Sequence, residues 1–273
     1  MWLASLPLDQ AAAGDVEINL SSNTGQEATP AFKPASWGGL YFGGNLGYQW
    51  TSVDATDSYA FAGNPTASTS GSFAGSGFLG GAQAGYNFQK SSLVYGLEMD
   101  LGYLNLSGSS SRNLPVGANN SLRASYSAQS GLYGDVTARG GLAVGRFLFY
   151  VKGGLALLDT ELNANYNGST TTCSVQLFGP CLLSNTTNSH FGFKDNGILW
   201  GWTAGVGGEY ALTKSLSAKF EYQHFDFGSG SVSHNGSSTL NGHTSTIAGS
   251  ASFSPTIDAI KVGINYHINA GLE

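Results

Sequence analysis

The sequence predicts an all-β protein: an eight-stranded antiparallel up-and-down transmembrane β-barrel with short periplasmic turns and four long extracellular loops. Three observations carry that prediction. Of 273 residues, 40 are Gly and only 10% are charged, against roughly 7% and 25% in ordinary globular domains. Eight segments alternate apolar with small or polar residues at period two. The connections between those segments alternate strictly, long then short, as they do in barrels that cross an outer membrane.

Composition narrows the field first. A helix bundle is disfavoured because each helical Gly costs roughly 1 kcal/mol relative to Ala. So few charges would serve a soluble surface poorly, while a mean hydropathy of −0.06 is too polar for membrane helices. No apolar run approaches the ~18 residues of a membrane-spanning helix; the best, Phe147 to Leu158, is broken by Lys152, Gly153 and Gly154. Eleven basic against seventeen acidic residues give a net charge of −6, with no basic patch for nucleic acid.

The segments follow in order. The first sets Leu40, Phe42, Leu46, Tyr48 and Trp50 on one face, with Tyr41, Asn45, Gln49 and Thr51 on the other. The second sets Phe78, Ala82, Ala84, Tyr86 and Phe88 against Gln83 and Asn87. The third sets Leu93, Tyr95, Leu97, Met99, Leu101 and Tyr103 against Glu98 and Asp100. Leu132, Val136, Ala138, Leu142 and Val144 alternate with Tyr133, Asp135, Thr137 and Arg139 in the fourth. The fifth opposes Phe147, Phe149, Val151, Leu155 and Leu157 to Tyr150 and Lys152. The sixth opposes Ile198, Trp200, Trp202, Ala204, Val206 and Tyr210 to Thr203 and Glu209. Leu216, Ala218, Phe220 and Tyr222 face away from Lys219, Glu221 and Gln223 in the seventh. The eighth closes with Ile260, Val262, Ile264 and Tyr266 against Lys261, Asn265 and His267.

Three connections are short: Gln89 to Ser92, Gly145 to Arg146, and Ala211 to Ser215. Four are long and polar: Asp54 to Ala74, Ser107 to Ser130, Asn163 to Asn196, and Gly228 to Ser254. Aromatic residues gather at both ends of the segments, as girdles at lipid interfaces do. Tyr86, Phe88, Tyr95, Phe147, Phe149, Tyr210 and Tyr266 lie near the short turns, and Trp50, Trp200 and Trp202 near the long loops. A soluble barrel of lipocalin type would be polar outside and apolar inside; here the charges fall on the opposite face.

The inward positions collect Glu98, Asp100, Asp135, Glu209 and Glu221 with Arg139, Lys152, Lys219 and Lys261. Buried charges persist only when paired and hydrogen-bonded, so these nine are expected to form one ion network. An eight-stranded barrel is just wide enough for side chains to fill it. A structural lumen is therefore expected, with a narrow ion path as the alternative. Candidates for chemistry at the outer rim are Asp54, Asp57, His190, His224, Asp226, His234 and His243, scattered without a readable spacing. No enzyme, cofactor or metal is expected from them, since loop histidines are ordinarily solvated. Gly pairs within the strands relieve crowding rather than cradle phosphate.

Cys173 and Cys181 fall in the third long loop, an arrangement that suits a disulfide closing a small knob, with a metal site or free thiols as alternatives. Three regions are expected: a flexible leader over 1–36, whose Met1 to Ala13 lacks a basic n-region, the barrel over 37–268, and a short tail over 269–273. The expected surroundings are the lipid bilayer and lipopolysaccharide, with surface ligands reached through the loops.

Several stretches resemble the small outer-membrane β-barrels of alphaproteobacteria, of the Omp25/Omp31 or porin-family type. They are Trp37-Gly-Gly-Leu-Tyr-Phe-Gly-Gly, Tyr95-Gly-Leu-Glu-Met-Asp-Leu-Gly-Tyr, Val136-Thr-Ala-Arg-Gly-Gly-Leu-Ala and Tyr150-Val-Lys-Gly-Gly-Leu-Ala. Further on come Gly201-Trp-Thr-Ala-Gly-Val-Gly-Gly-Glu-Tyr-Ala-Leu, Lys219-Phe-Glu-Tyr-Gln-His-Phe-Asp-Phe-Gly and Val262-Gly-Ile-Asn-Tyr-His-Ile. The resemblance implies a monomeric eight-stranded barrel of the outer membrane with structural, surface-antigen or modest pore roles and no catalytic residues. It departs at the last strand, where family members end on an aromatic residue and this chain has Ile268 followed by Asn269 to Glu273.

Overall fold

Period-two alternation with one apolar face asks for a sheet whose lipid side is continuous, and closure of that sheet on itself satisfies every edge. The computed structural model describes residues 36–61, 67–114, 120–176, 179, 181–240 and 243–268. The expected leader, apart from Ser36, and the tail over 269–273 lie outside them. The described residues form nine antiparallel strands: β1 (Gly39–Phe61), β2 (Ala67–Lys90), β3 (Leu93–Leu114), β4 (Asn120–Val144), β5 (Phe147–Gln176), β6 (Cys181–Ala211), β7 (Leu216–Asp226), β8 (Gly230–Leu240) and β9 (His243–Ile268). Each pairs with its sequence neighbour from β1 to β7; β9 then pairs with β7, β8 and β1. The β1–β9 ladder, from Leu40↔Ile268 to Phe61↔Ile247, closes the ring.

At membrane level the ring has eight staves, because β7 and β8 are successive parts of one stave. β7 pairs β9 from Leu216↔Tyr266 to Asp226↔Thr256, and β8 resumes at Gly230↔Phe253. The break falls opposite Pro255, whose carbonyl accepts from the Phe227 amide at 3.2 Å. Proline's missing N–H lies on that same edge and cannot continue the ladder. Gly228 takes the left-handed turn there, with φ 61°.

The four long connections do not begin where the polar composition begins. Ser, Thr and Asn stretches remain in the ladder well past the aromatic girdle, so that β5 and β6 reach 30 and 31 residues. Together the long hairpins continue the barrel as a collar on that side. Parity hides this in β4. A bulge between Ser130 and Tyr133 inserts an extra residue opposite β5, and the buried positions switch from Tyr133 and Asp135 to Leu122 and Ala124. One inserted residue exchanges the two faces of a strand.

Inside, the layers alternate along the barrel axis. Next to the short turns, Trp37, Val94, Ala143, Leu148, Tyr150 and Ala211 form an apolar layer. The polar layer follows. Beyond it Leu79, Leu104, Tyr133, Leu158, Phe225, Phe227 and Ile257 form a second apolar layer. The collar has its own core of Tyr59, Leu114, Leu122, Tyr166, Phe191 and Ile247. Outside, large apolar side chains from Leu40 to Tyr266 stand exposed around the ring, which a water-soluble protein would bury.

Candidate functional site

The site is the polar layer of the lumen, and strand parity positions every member of it. Glu98 and Asp100 come from β3, Asp135 and Arg139 from β4, Lys152 from β5, Glu209 from β6, Lys219 and Glu221 from β7, and Lys261 from β9. All nine are buried. Glu98 is the hub. Its carboxylate meets Arg139 at 3.1 Å, Lys152 at 2.9 Å and Lys219 at 3.3 Å. Glu221 meets Lys152 at 2.9 Å and both Lys219 and Lys261 at 3.3 Å. Lys261 continues to Asp100 at 2.8 Å, and Arg139 to Glu209 at 3.2 Å. Eight of the nine are thus joined through ion pairs. Asp135 shares the layer but is held by the neutral Gln223, whose Nε2 donates at 3.0 Å.

Neutral donors complete the coordination, as a buried charge requires. Tyr41 donates to Glu98 at 2.7 Å and Tyr150 to Glu221 at 2.7 Å. Asn45 donates to Asp100 at 3.1 Å and Asn265 to Glu209 at 2.7 Å. Ser217 and His267 also reach Glu209. The Arg139 guanidinium lies 4.9 Å from the Tyr41 ring centre and 4.5 Å from that of Tyr150, a favourable cation–π sandwich. Charge alone, read along the sequence, does not point to these neutral and aromatic partners. Period-two parity was the available signal, because Tyr41, Tyr150, Asn265 and His267 share the inward positions of their strands.

A second polar cluster lies in the collar, on the axis side. Buried Asp57 of β1 receives Arg112 of β3 at 3.0 Å, Tyr126 of β4 at 2.6 Å and Tyr166 of β5 at 3.4 Å. Burial and the hydrogen bond to Asp57 raise the pKa of the Tyr126 hydroxyl, and burial pushes that of Tyr166 up to about 12. Of the other rim candidates, Asp54 is exposed. His190 faces outward against Asn167 at 2.8 Å. His224 meets Asp258 at 2.7 Å, and that carboxylate also accepts from Tyr222. Asp226 accepts from the Gly228 amide. The side chains of His234 and His243 lie outside the described residues. The rim candidates whose side chains are described therefore occupy separate places rather than one cleft. Cys173 and Cys181 are joined as a disulfide near the tip of the β5–β6 hairpin.

The aromatic residues named at the interfaces sit on the outer wall. Near the short turns Phe88 lies between Tyr86 and Tyr95, with ring centres 4.9 and 5.5 Å away, and Phe147 packs on Phe149 and Tyr210. Phe42 meets Tyr266 at 5.5 Å. At the other end Tyr48 contacts Trp50 and Phe78, while Trp200 and Trp202 stand exposed on β6.

Comparison with known proteins agrees with this geometry. The outer membrane protein beta-barrel domain matches residues 27–253. The 31 kDa outer-membrane immunogenic protein of Brucella melitensis is 29% identical over 235 residues, spanning 83% of this chain and 85% of the relative. The 25 kDa outer-membrane immunogenic protein of Brucella canis is 28% identical, spanning 70% of this chain and 66% of the relative. The 22 kDa outer membrane protein of Rhizobium leguminosarum bv. viciae is 27% identical, over 71% and 67% respectively. With its family model covering most of the chain and its relatives named as outer-membrane proteins, the chain belongs to the outer membrane protein beta-barrel domain family and is integral to the bacterial outer membrane.

Proposed function

We propose that this barrel is a closed structural scaffold that supports the envelope and displays its collar to the outside, acting as a monomer with the lumen as its internal brace. The observation that carries this reading is the stacking of the interior: the ion network is buried, and apolar layers lie on both sides of it. An ion entering from either end would have to shed water against those layers, at a cost of several kcal/mol. Display at the surface is supported by two of the relatives, which are named as outer-membrane immunogenic proteins.

A second reading, a narrow path for small ions, has one observation in its favour. Gln49 Nε2, Asp135 Oδ1 and Gln223 Oε1 are buried without a protein partner, and such atoms are ordinarily satisfied by internal water. Conductance in planar bilayers separates the two. The scaffold gives no reproducible current steps. Discrete openings that change with Glu98→Gln or Lys152→Met would replace it with the pore.

A further inference from the structure

The two ends of the ring differ in charge. Lys90, Arg146 and Lys214 mark the three short turns, one exposed cation at each, and none of those turns holds an Asp or Glu. Asp258, on the outer wall, stands at the other end, opposite Trp50 in register. The turns are also firmly built. Gly145 takes the left-handed conformation, φ 60°, that lets β4 reverse into β5 at Arg146. Thr213 Oγ1 accepts from the Ser215 and Leu216 amides at 3.2 and 3.0 Å, which braces the turn around Lys214. The Ala211 amide donates to the Arg146 carbonyl at 2.9 Å, so the turns bearing Arg146 and Lys214 are neighbours.

Those two turns join the four strands, β4 to β7, that share an apolar groove of about 590 Å³ on the lipid-facing wall, a volume typical of small-ligand sites. Gly140 of β4 and Gly208 of β6 leave the outer face empty there, while Leu142, Phe149, Val206 and Phe220 stand around them. A Cβ at Gly140 would meet nothing within 4 Å, and one at Gly208 would come no closer than 3.7 Å to the Phe149 ring. The space is therefore open to the bilayer. Between groove and turns lie Phe147 and Tyr210, ring centres 4.8 Å apart, in the belt that sits at headgroup level. The groove thus begins where the hydrocarbon does.

What covers the groove follows from its place in the wall and from the charges at its foot. Inside a bilayer the candidates are a lipid chain and a second barrel. In a two-fold dimer the same surface meets itself across the axis, so Arg146 and Lys214 would face their own copies with no carboxylate in the turns between them. A lipid meets no such repulsion. Short turns are periplasmic, and the leaflet beside them is phospholipid. Clustered cations recruit anionic headgroups, Arg gripping phosphate through two parallel hydrogen bonds, whereas a zwitterionic headgroup finds no carboxylate in these turns for its amine. We propose that β4 to β7 bind one anionic phospholipid of the periplasmic leaflet, its phosphate held by Arg146 and Lys214 and one acyl chain lying along Gly140 and Gly208. The site is on the outer wall and does not depend on whether the lumen conducts.

Native mass spectrometry tests it. The full barrel is exchanged into mixed micelles holding equal amounts of phosphatidylglycerol and phosphatidylethanolamine, and the retained lipid is weighed with the protein. The wild type is expected to keep one phosphatidylglycerol in preference to phosphatidylethanolamine. Arg146→Gln with Lys214→Gln should cut that retention about tenfold or more. Lys90→Gln, at the turn outside the four groove strands, should leave it unchanged. Gly140→Leu places a side chain where the acyl chain would lie and should lower retention with both cations intact. Heat-modifiable gel migration verifies that each variant is still a folded barrel. Equal retention of the two lipids, or of none, would overturn the proposal, as would an equal loss in Lys90→Gln or full retention in Gly140→Leu. A dimer mass abolished by Gly140→Leu would replace the lipid with a second copy of the chain.

Discussion

Glu98 holds three cations from three strands, while Glu161 in the collar meets the single cation Lys194 among the described residues and accepts from Asn163, with both members of the ion pair well exposed. The same side chain therefore carries very different weight at the two positions. Removing one partner of a buried pair costs about 3–5 kcal/mol because the other charges stay buried, whereas an exposed pair is screened by solvent and contributes little. Glu98→Gln should lower the urea midpoint of the lipid-reconstituted barrel clearly, and Glu161→Gln should leave it nearly unchanged. The collar tyrosines give a pH test. Unfolded, a tyrosine ionises near 10; folded, Tyr166 is pushed up to about 12 by burial and Tyr126 is raised as well. Below pH ~10 both states keep the proton, and the contribution to stability is fully present. Between about 10 and 12 the unfolded chain loses protons first, so collar stability falls as pH rises. Tyrosinate absorbance against pH should show this late titration, and Tyr166→Phe should reduce its amplitude.

At the scale of the element, the membrane strands were legible in sequence because lipid and lumen impose opposite demands on alternate residues. Leu97 and Met99 stand exposed to lipid while Glu98 and Asp100 between them are buried. Above the membrane both faces become polar, and the signal fades although the ladder continues. The bulge in β4 removed what parity remained there, and Pro255 divided the seventh stave. Neither the bulge partner nor the ladder edge is written in local composition. Close packing inside the ring adds a further constraint. A Cβ at Gly102 would meet the Tyr133 ring at 2.5 Å, and one at Gly207 would meet the Tyr150 ring at 2.6 Å. These inward glycines make room for the tyrosines that hydrogen-bond the network. Gly207→Val should displace Tyr150 from Glu221 and cost about 1–3 kcal/mol by overpacking, seen as a lower melting temperature of the heat-modifiable band. At Gly140, on the lipid side, a Cβ would meet nothing within 4 Å, so Ala should be tolerated there.

The whole molecule has two stories, a ring within the membrane and a collar outside it, each with its own interior. Asp57 ties four strands of the collar through Arg112, Tyr126 and Tyr166, and none of these contacts reaches the ion network. Asp57→Asn leaves the Arg112 charge without its carboxylate and should loosen the collar by about 1–3 kcal/mol. External protease should then cut the long hairpins faster, while the membrane ring keeps its heat-modifiable migration; loss of both together would mean that the two stories unfold as one. By itself, the sequence determined the barrel class, the lipid and lumen faces of each stave, and which nine charges face inward, because period-two alternation between two solvents is a local pattern. Only the tertiary structure decided which acid meets which base, that Asp135 stands outside the ion pairs, that neutral tyrosines complete the network, and that Asp57 is a collar clasp rather than a rim residue. Those outcomes depend on strand register around a closed ring, where residues more than a hundred positions apart, such as Glu98 and Lys219, become neighbours.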